Sequence, residues 1–64
     1  MEDKMDVHAE IGKFVKILRT RAGFTQKHVA SLVGCDRHLI SKIERGIYKP
    51  NIKILERLYI LLYN

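Results

Sequence analysis

The chain has 64 residues, 47% of them apolar, and its 12 Lys and Arg against 7 Asp and Glu give a formal net charge of +5. The length predicts one domain and the composition argues against intrinsic disorder, while a basic body of this size favours a polyanionic partner such as nucleic acid. No apolar run approaches the ~20 residues that span a bilayer, and the acidic N-terminus lacks the apolar core of a signal peptide, so we expect a cytoplasmic protein with no membrane partner.

The first predicted helix runs from about His8 to Arg21, and Gly23 follows it at a position that tolerates positive φ. Ahead of it the sequence is acidic and has no helical periodicity, so we predict a flexible arm at residues 1–7 and one folded domain at residues 8–64. The residues expected on the inward face of this helix have the i, i+3, i+4, i+7 spacing of an amphipathic helix. They are Ile11, Phe14, Val15, Leu18 and Ala22.

Two short helices follow. Thr25 is a good N-cap for the second helix, and Gly34 ends it. Asp36 is the N-cap candidate for the third helix, where its carboxylate also suits the positive end of the helix dipole, and Gly46 ends that helix. The inward residues are expected to be Val29, Ala30, Leu32 and Val33 in the second helix, and Leu39, Ile40 and Ile43 in the third.

A fourth helix is predicted after Pro50, with Asn51 as its cap. It is apolar on more than one face, and a helix that is apolar all round is buried all round. We therefore expect a homodimer built on its outer face. There are two alternatives. The protein could be a monomer in which this face folds back on helix one, or a cognate partner protein could bind the face. The inward set is Ile52, Leu55, Leu58 and Leu62, and the outward set is Ile54, Tyr59, Ile60, Leu61 and Tyr63.

The second and third helices meet the demands of a helix-turn-helix. Such a pair needs a small residue where its helices cross, a glycine in a short turn and a small apolar residue beneath that turn. Ala30, Gly34 and Cys35 have these positions, and Ile40 and Ile43 have the spacing to pack the third helix inward. With four helical segments and no strand pattern, the chain is predicted to be all-α.

The stretch "FTQKHVASLVGCDRHLISKIERGIYKP" resembles the core of the phage repressor/Cro-type, or XRE-type, helix-turn-helix regulators. The likeness covers about residues 11–62 and implies a compact four-helix, lambda-repressor-like DNA-binding domain, a truncated form of the five-helix arrangement of many relatives. The residues that carry it are Thr25, Gln26, Ala30, Gly34, Ile40, Glu44, Gly46 and Pro50.

The resemblance implies binding of double-stranded DNA, with the third helix in the major groove. A dimer of such domains would bind a palindromic operator as a transcriptional repressor or autoregulator. Base-reading positions fall on Arg37, His38 and Lys42, with Ser41 as an accessory, and phosphate-binding positions on Thr25, Gln26, Lys27, Arg45 and Lys49. Arg19 and Glu44 match a pair that bridges helix one and the third helix in relatives, so we expect a partly buried ion pair.

Other readings stay open at this point. Lys42 and Arg45 could be ordinary solvated helix charges, and the protein could be an antitoxin or another interaction module that mainly binds a partner protein. Cys35 is expected to fill the core. An enzyme is not expected, because the sequence has no nucleophile–base pair or paired carboxylates. No metal or cofactor is expected, because the spacing of the histidines and Cys35 is not that of a zinc site.

Overall fold

A computed structural model of the chain describes residues 7–63. It contains α1 (Val7–Arg21), α2 (Gln26–Val33), α3 (Arg37–Glu44) and α4 (Ile52–Leu62), and no strand lies within the described range. The predicted all-α, four-helix architecture is confirmed. Residue 7, which was assigned to the acidic arm, belongs to α1, and the rest of that arm lies outside the described residues.

Three of the helices begin at the predicted capping residue. In each, the side-chain oxygen of the cap accepts a hydrogen bond of 2.9–3.0 Å from the backbone N–H three residues later. This bond satisfies one of the donors that the first turn of a helix leaves without a partner. The capping residues are Thr25 for α2, Asp36 for α3 and Asn51 for α4.

The core lies where the four helices meet. Its centre is α3, whose Ile40 and Ile43 are 0% and 1% exposed, and burial of each such side chain stabilises the fold by about 1.5–3 kcal/mol. α3 packs against both α1 and α2. These contacts hold the helix in place with its outer face towards solvent. The buried apolar residues are Val15, Val29, Ala30, Val33, Ile40, Ile43, Ile54 and Leu58.

The inward face predicted for α4 is confirmed at Leu55, Leu58 and Leu62, which are buried or half-buried, but two isoleucines were misplaced. Ile52, expected on the inward face, is 77% exposed, whereas Ile54, expected on the dimer face, is only 8% exposed and belongs to the core. Ile54 is buried because the polar residues Lys53, Glu56 and Arg57 all lie on the exposed side of the helix, and Ile54 lies on the opposite side, which packs against the other helices.

Three inward assignments in the other helices also need correction. Phe14 is 54% exposed and Leu32 is 53% exposed, and Ala22, which follows the last residue of α1, is exposed as well. Each lies at the border of its helix's apolar stripe, where packing against a neighbour rather than periodicity decides burial.

α1 and α3 approach each other at Gly12, a buried residue in the middle of α1. A Cβ atom added there would overlap the backbone carbonyl oxygen of Ile43 and lie 2.8 Å from that of Glu44. Glycine therefore lets α1 rest directly on the backbone at the carboxyl end of α3. Sequence analysis did not single out Gly12.

Candidate nucleic-acid interface

The turn between α2 and α3 has the geometry that a helix-turn-helix requires. The backbone N–H groups of Gly34 and Cys35 both donate to the carbonyl oxygen of Ala30 at 2.9 Å. Gly34 has φ of 84°, a left-handed conformation that side chains with a Cβ disfavour. Ala30 is 2% exposed where the two helices pack, so the small residue lies where the motif needs it.

α3 presents one continuous polar face to solvent. At 100° per residue, the four predicted DNA-contacting residues of α3 and its C-cap Arg45 span about 140° of the helix surface, while Ile40 and Ile43 point into the core. Four of them are exposed and the serine is half-buried. The face contains three cations, one imidazole and one hydroxyl, and its members are Arg37, His38, Ser41, Lys42 and Arg45.

Besides Arg45 at the end of α3, the predicted phosphate-binding residues lie at the start of α2 and in the loop before α4. Lys27 and Lys49 are exposed. Thr25 uses its hydroxyl oxygen to cap α2, accepting from the backbone N–H of His28 at 3.0 Å. Gln26 is half-buried, and its Nε2 donates to Oε1 of Glu44 at 3.0 Å, a contact that sequence analysis did not foresee.

The ion pair between α1 and α3 forms as expected. Arg19 Nε donates to Oε2 of Glu44 at 2.6 Å, and Arg19 Nη2 donates to Oε1 at 3.2 Å. The two side chains are 11% and 3% exposed. Arg19 Nη1 also donates to the carbonyl oxygen of Phe24 at 2.8 Å, so one guanidinium links α1, the loop before α2, and the end of α3.

Cys35 is half-buried beneath the turn and packs against the core, in agreement with its expected role. Burial first, and the negative charge of Asp36 second, raise the pKa of its thiol above the usual value. A thiol held in its protonated form is a poor nucleophile and a poor metal ligand. Within residues 7–63 no group of three or more His, Cys, Asp or Glu side chains could hold a metal ion.

Arg57 is a further residue that sequence analysis missed. Its Nη1 donates to the carbonyl oxygen of Val33 at 3.1 Å, so a cation from α4 binds the carboxyl end of α2, where the helix dipole favours positive charge. This contact ties α4 to the turn of the helix pair. No local pattern in the sequence could reveal it, because the two residues are far apart along the chain.

An apolar surface remains exposed at the end of α4. Tyr59, Ile60 and Tyr63 are 62%, 63% and 55% exposed, and the two tyrosine rings stack with centroids 4.9 Å apart. Both tyrosines and Phe14 of α1 line a hollow of about 170 Å³ between the two helices. Leu61, also predicted in the dimer face, is half-buried against the core, and Ile54 is removed from this face by its burial.

Comparisons with known proteins agree with this geometry. A family model described as a helix-turn-helix domain matches residues 10–62. The fold is similar to the crystal structure of the restriction-modification controller protein C.AhdI from Aeromonas hydrophila, with a TM-score of 0.85 and 27% sequence identity over 92% of this chain and 89% of that one. None of the proteins with curated descriptions matches the sequence. Across residues 7–63, no helix has both the length and the apolar character needed to cross a membrane.

Proposed function

Because this chain belongs to the helix-turn-helix domain family and is a regulator of the XRE type, we propose that it binds double-stranded DNA in a sequence-specific manner as a cytoplasmic transcriptional repressor or autoregulator. The observation that supports this most strongly is the polar face of α3, whose cations are exposed while the opposite face is buried. A helix with one packed face and one basic face can enter the major groove without disturbing the core.

Base recognition is assigned to the first turns of α3. Arg37 can donate two hydrogen bonds to O6 and N7 of guanine, the commonest specific contact in the major groove. His38 can donate to guanine N7, and Lys42, one turn later, reaches a base or a phosphate. The half-buried Ser41 between them is an accessory donor or acceptor.

Phosphate contacts are assigned to the start of α2 and to the end of α3 and the loop after it. The first turn of α2 has backbone N–H groups that no residue of the helix can pair, and its dipole favours an anion. Lys27 is exposed on that turn, and Arg45 and Lys49 are exposed beyond α3. These contacts position the protein and make its affinity depend on salt, whereas base contacts carry the discrimination.

A homodimer is proposed through the apolar end of α4. Tyr59, Ile60 and Tyr63, with Phe14 beside them, form a surface that a second copy of the chain would cover. Two-fold symmetry would place two copies of α3 about 34 Å apart, one turn of DNA, and would require a palindromic operator.

The second candidate function is that of an interaction module, such as an antitoxin, whose main partner is another protein. The same exposed apolar surface favours it, because exposed patches of this kind mark protein–protein contacts. The two functions differ in one observable. A regulator binds its target DNA with or without a partner protein, whereas a pure interaction module does not bind DNA specifically.

Replacing Arg37 with alanine is expected to weaken binding to the preferred duplex by about 1–3 kcal/mol and to remove preference at one base position. The measurement is fluorescence anisotropy on duplexes that differ at single base pairs. Lys16→Ala, which removes an exposed cation from α1, is the matched control and should leave base preference unchanged. Equal weakening of specific and random DNA by Arg37→Ala would contradict its assignment to a base.

Sedimentation analysis at tens of micromolar protein, without DNA, is expected to give twice the 7.5 kDa mass of the chain. Tyr59→Ala should shift the protein towards the monomer, because it removes half of the stacked tyrosine pair. Ile47→Ala is the control, since Ile47 is equally exposed at 64% but lies in the loop before α4. A monomeric mass for the unmodified protein at these concentrations would rule out this dimer.

A further inference from the structure

The carboxylate of Glu44 accepts hydrogen bonds from two different parts of the molecule. Arg19 of α1 donates to both of its oxygens, at 2.6 and 3.2 Å, and the amide of Gln26 donates to Oε1 at 3.0 Å. The Glu44 side chain is 3% exposed. The last residue of α3 therefore holds the first residue of α2, which lies where the proposed function places a phosphate contact.

The chemistry of this contact fixes which way the Gln26 amide is turned. An ionised carboxylate only accepts hydrogen bonds, so the amide nitrogen rather than the amide oxygen must face Glu44. One of the two Nε2 hydrogens is used in this contact, and the second is left for another acceptor. Beside it, the backbone N–H groups of Gln26 and Lys27 have no acceptor among residues 7–63, as expected for the first turn of a helix.

Arg19 has a second effect on this arrangement. Without a cation, a carboxylate close to a phosphate would repel it. The guanidinium of Arg19 lies on the carboxylate with two hydrogen bonds and compensates its charge locally. Glu44 can therefore orient the Gln26 amide while contributing little repulsion to an approaching phosphate.

We propose that Glu44 is a positioning residue for DNA binding. It holds the Gln26 amide so that the second Nε2 hydrogen, together with the free backbone N–H groups at the start of α2, donates to one phosphate of the DNA backbone. This inference rests on the proposed function. It adds that the phosphate contact of α2 depends on a buried carboxylate at the end of α3.

The test is a double-mutant cycle on DNA affinity with Gln26→Ala, Glu44→Gln and the double variant. Affinities are measured by anisotropy on a duplex selected from random sequences, at a temperature where circular dichroism shows each variant to be folded. Gln26→Ala should lower the affinity of the unmodified protein about 10-fold, the effect of one hydrogen bond to a charged group. In the Glu44→Gln background the same change should cost about 2-fold or less. The amide oxygen of residue 44 would then accept from Arg19 and its amide nitrogen would face Gln26, so the Gln26 amide would no longer be held with its nitrogen towards residue 44. Glu56→Gln, an exposed glutamate on α4, should leave the effect of Gln26→Ala unchanged.

Additive effects in this cycle, or no loss of affinity with Gln26→Ala alone, would overturn the inference while leaving DNA binding itself intact. Failure of the unmodified protein to bind any selected duplex would instead overturn the proposed function. If Glu44→Gln does not fold, the side-chain amide resonances of Gln26 in the unmodified protein give the answer. Both Nε2 protons should be protected from exchange in the DNA complex, and loss of the Glu44-bonded proton's protection on binding would overturn the inference.

Discussion

Replacing Gly12 with alanine is expected to destabilise the protein by about 3 kcal/mol or more, which approaches the total of roughly 3–10 kcal/mol expected for a domain of this size. The added Cβ would overlap the carbonyl oxygen of Ile43 and crowd that of Glu44. Both are backbone atoms at the end of α3, so neither can rotate away, and α1 would have to move. Thermal and urea denaturation followed by circular dichroism would measure the change.

The sign of this effect is informative. In an open helix position, alanine is about 1 kcal/mol more favourable than glycine, so a more stable Gly12→Ala variant would contradict the close approach of α1 and α3. Gly23→Ala is the matched control. Gly23 has φ of 79° but nothing within 4 Å of an added Cβ, so only the cost of a left-handed alanine, about 1–2 kcal/mol, is expected there.

Replacing Glu44 with alanine is expected to be the second large effect, a loss of about 3–5 kcal/mol. Removal of one partner of a buried ion pair leaves the other charge without compensation, and here Arg19 is only 11% exposed. The Gln26 amide would lose its acceptor as well. Since 1 kcal/mol corresponds to about 4–8 °C in a domain of this size, the melting temperature should fall by well over 10 °C.

Two further variants distinguish a buried ion pair from a weak surface ion pair. Glu56→Ala removes an exposed glutamate and should change stability by no more than about 0.5 kcal/mol. Arg19→Met combined with Glu44→Leu replaces both charges with apolar groups and should be less destabilising than Glu44→Ala alone. Equal melting shifts for Glu44→Ala and Glu56→Ala would show that the pair behaves as a weak surface ion pair.

Sequence alone was sufficient for the ends of the helices. Thr25, Asp36 and Asn51 cap their helices as predicted, because capping depends on a residue and the backbone N–H three positions later. The turn at Gly34 was predicted because glycine adopts a left-handed φ easily, which is also a local property. The resemblance to the XRE-type regulators supplied the pairing of Arg19 with Glu44, which no local rule contains.

The burial of Ile54 in α4 could have been predicted but was not. Apolar residues occur on several sides of this helix, so their spacing is compatible with several rotations of the helix about its axis. The polar residues are compatible with only one rotation, since Lys53, Glu56 and Arg57 follow an i, i+3, i+4 pattern that marks the solvent side of the helix. The side of the helix opposite these three residues includes Ile54, so their pattern predicts a core position for it.

Other features depend on contacts between distant parts of the chain. The pairing of Arg57 with the carbonyl of Val33 and that of Gln26 with Glu44 exist only once the helices have packed. Gly12 did leave a signal, because an isolated glycine inside a helical pattern often has a packing reason. The pattern could not reveal that this reason is the backbone of α3.

The most direct test of the central claim that α3 reads DNA is selection of bound duplexes from a random-sequence pool. A salt titration of binding to the most enriched duplex follows. A defined palindromic sequence should emerge, and it should bind at least about 1,000-fold more tightly than random DNA. The logarithm of affinity should fall linearly with the logarithm of salt concentration. Enrichment of no sequence, or equal affinity for the selected and random duplexes at every salt concentration, would contradict the claim.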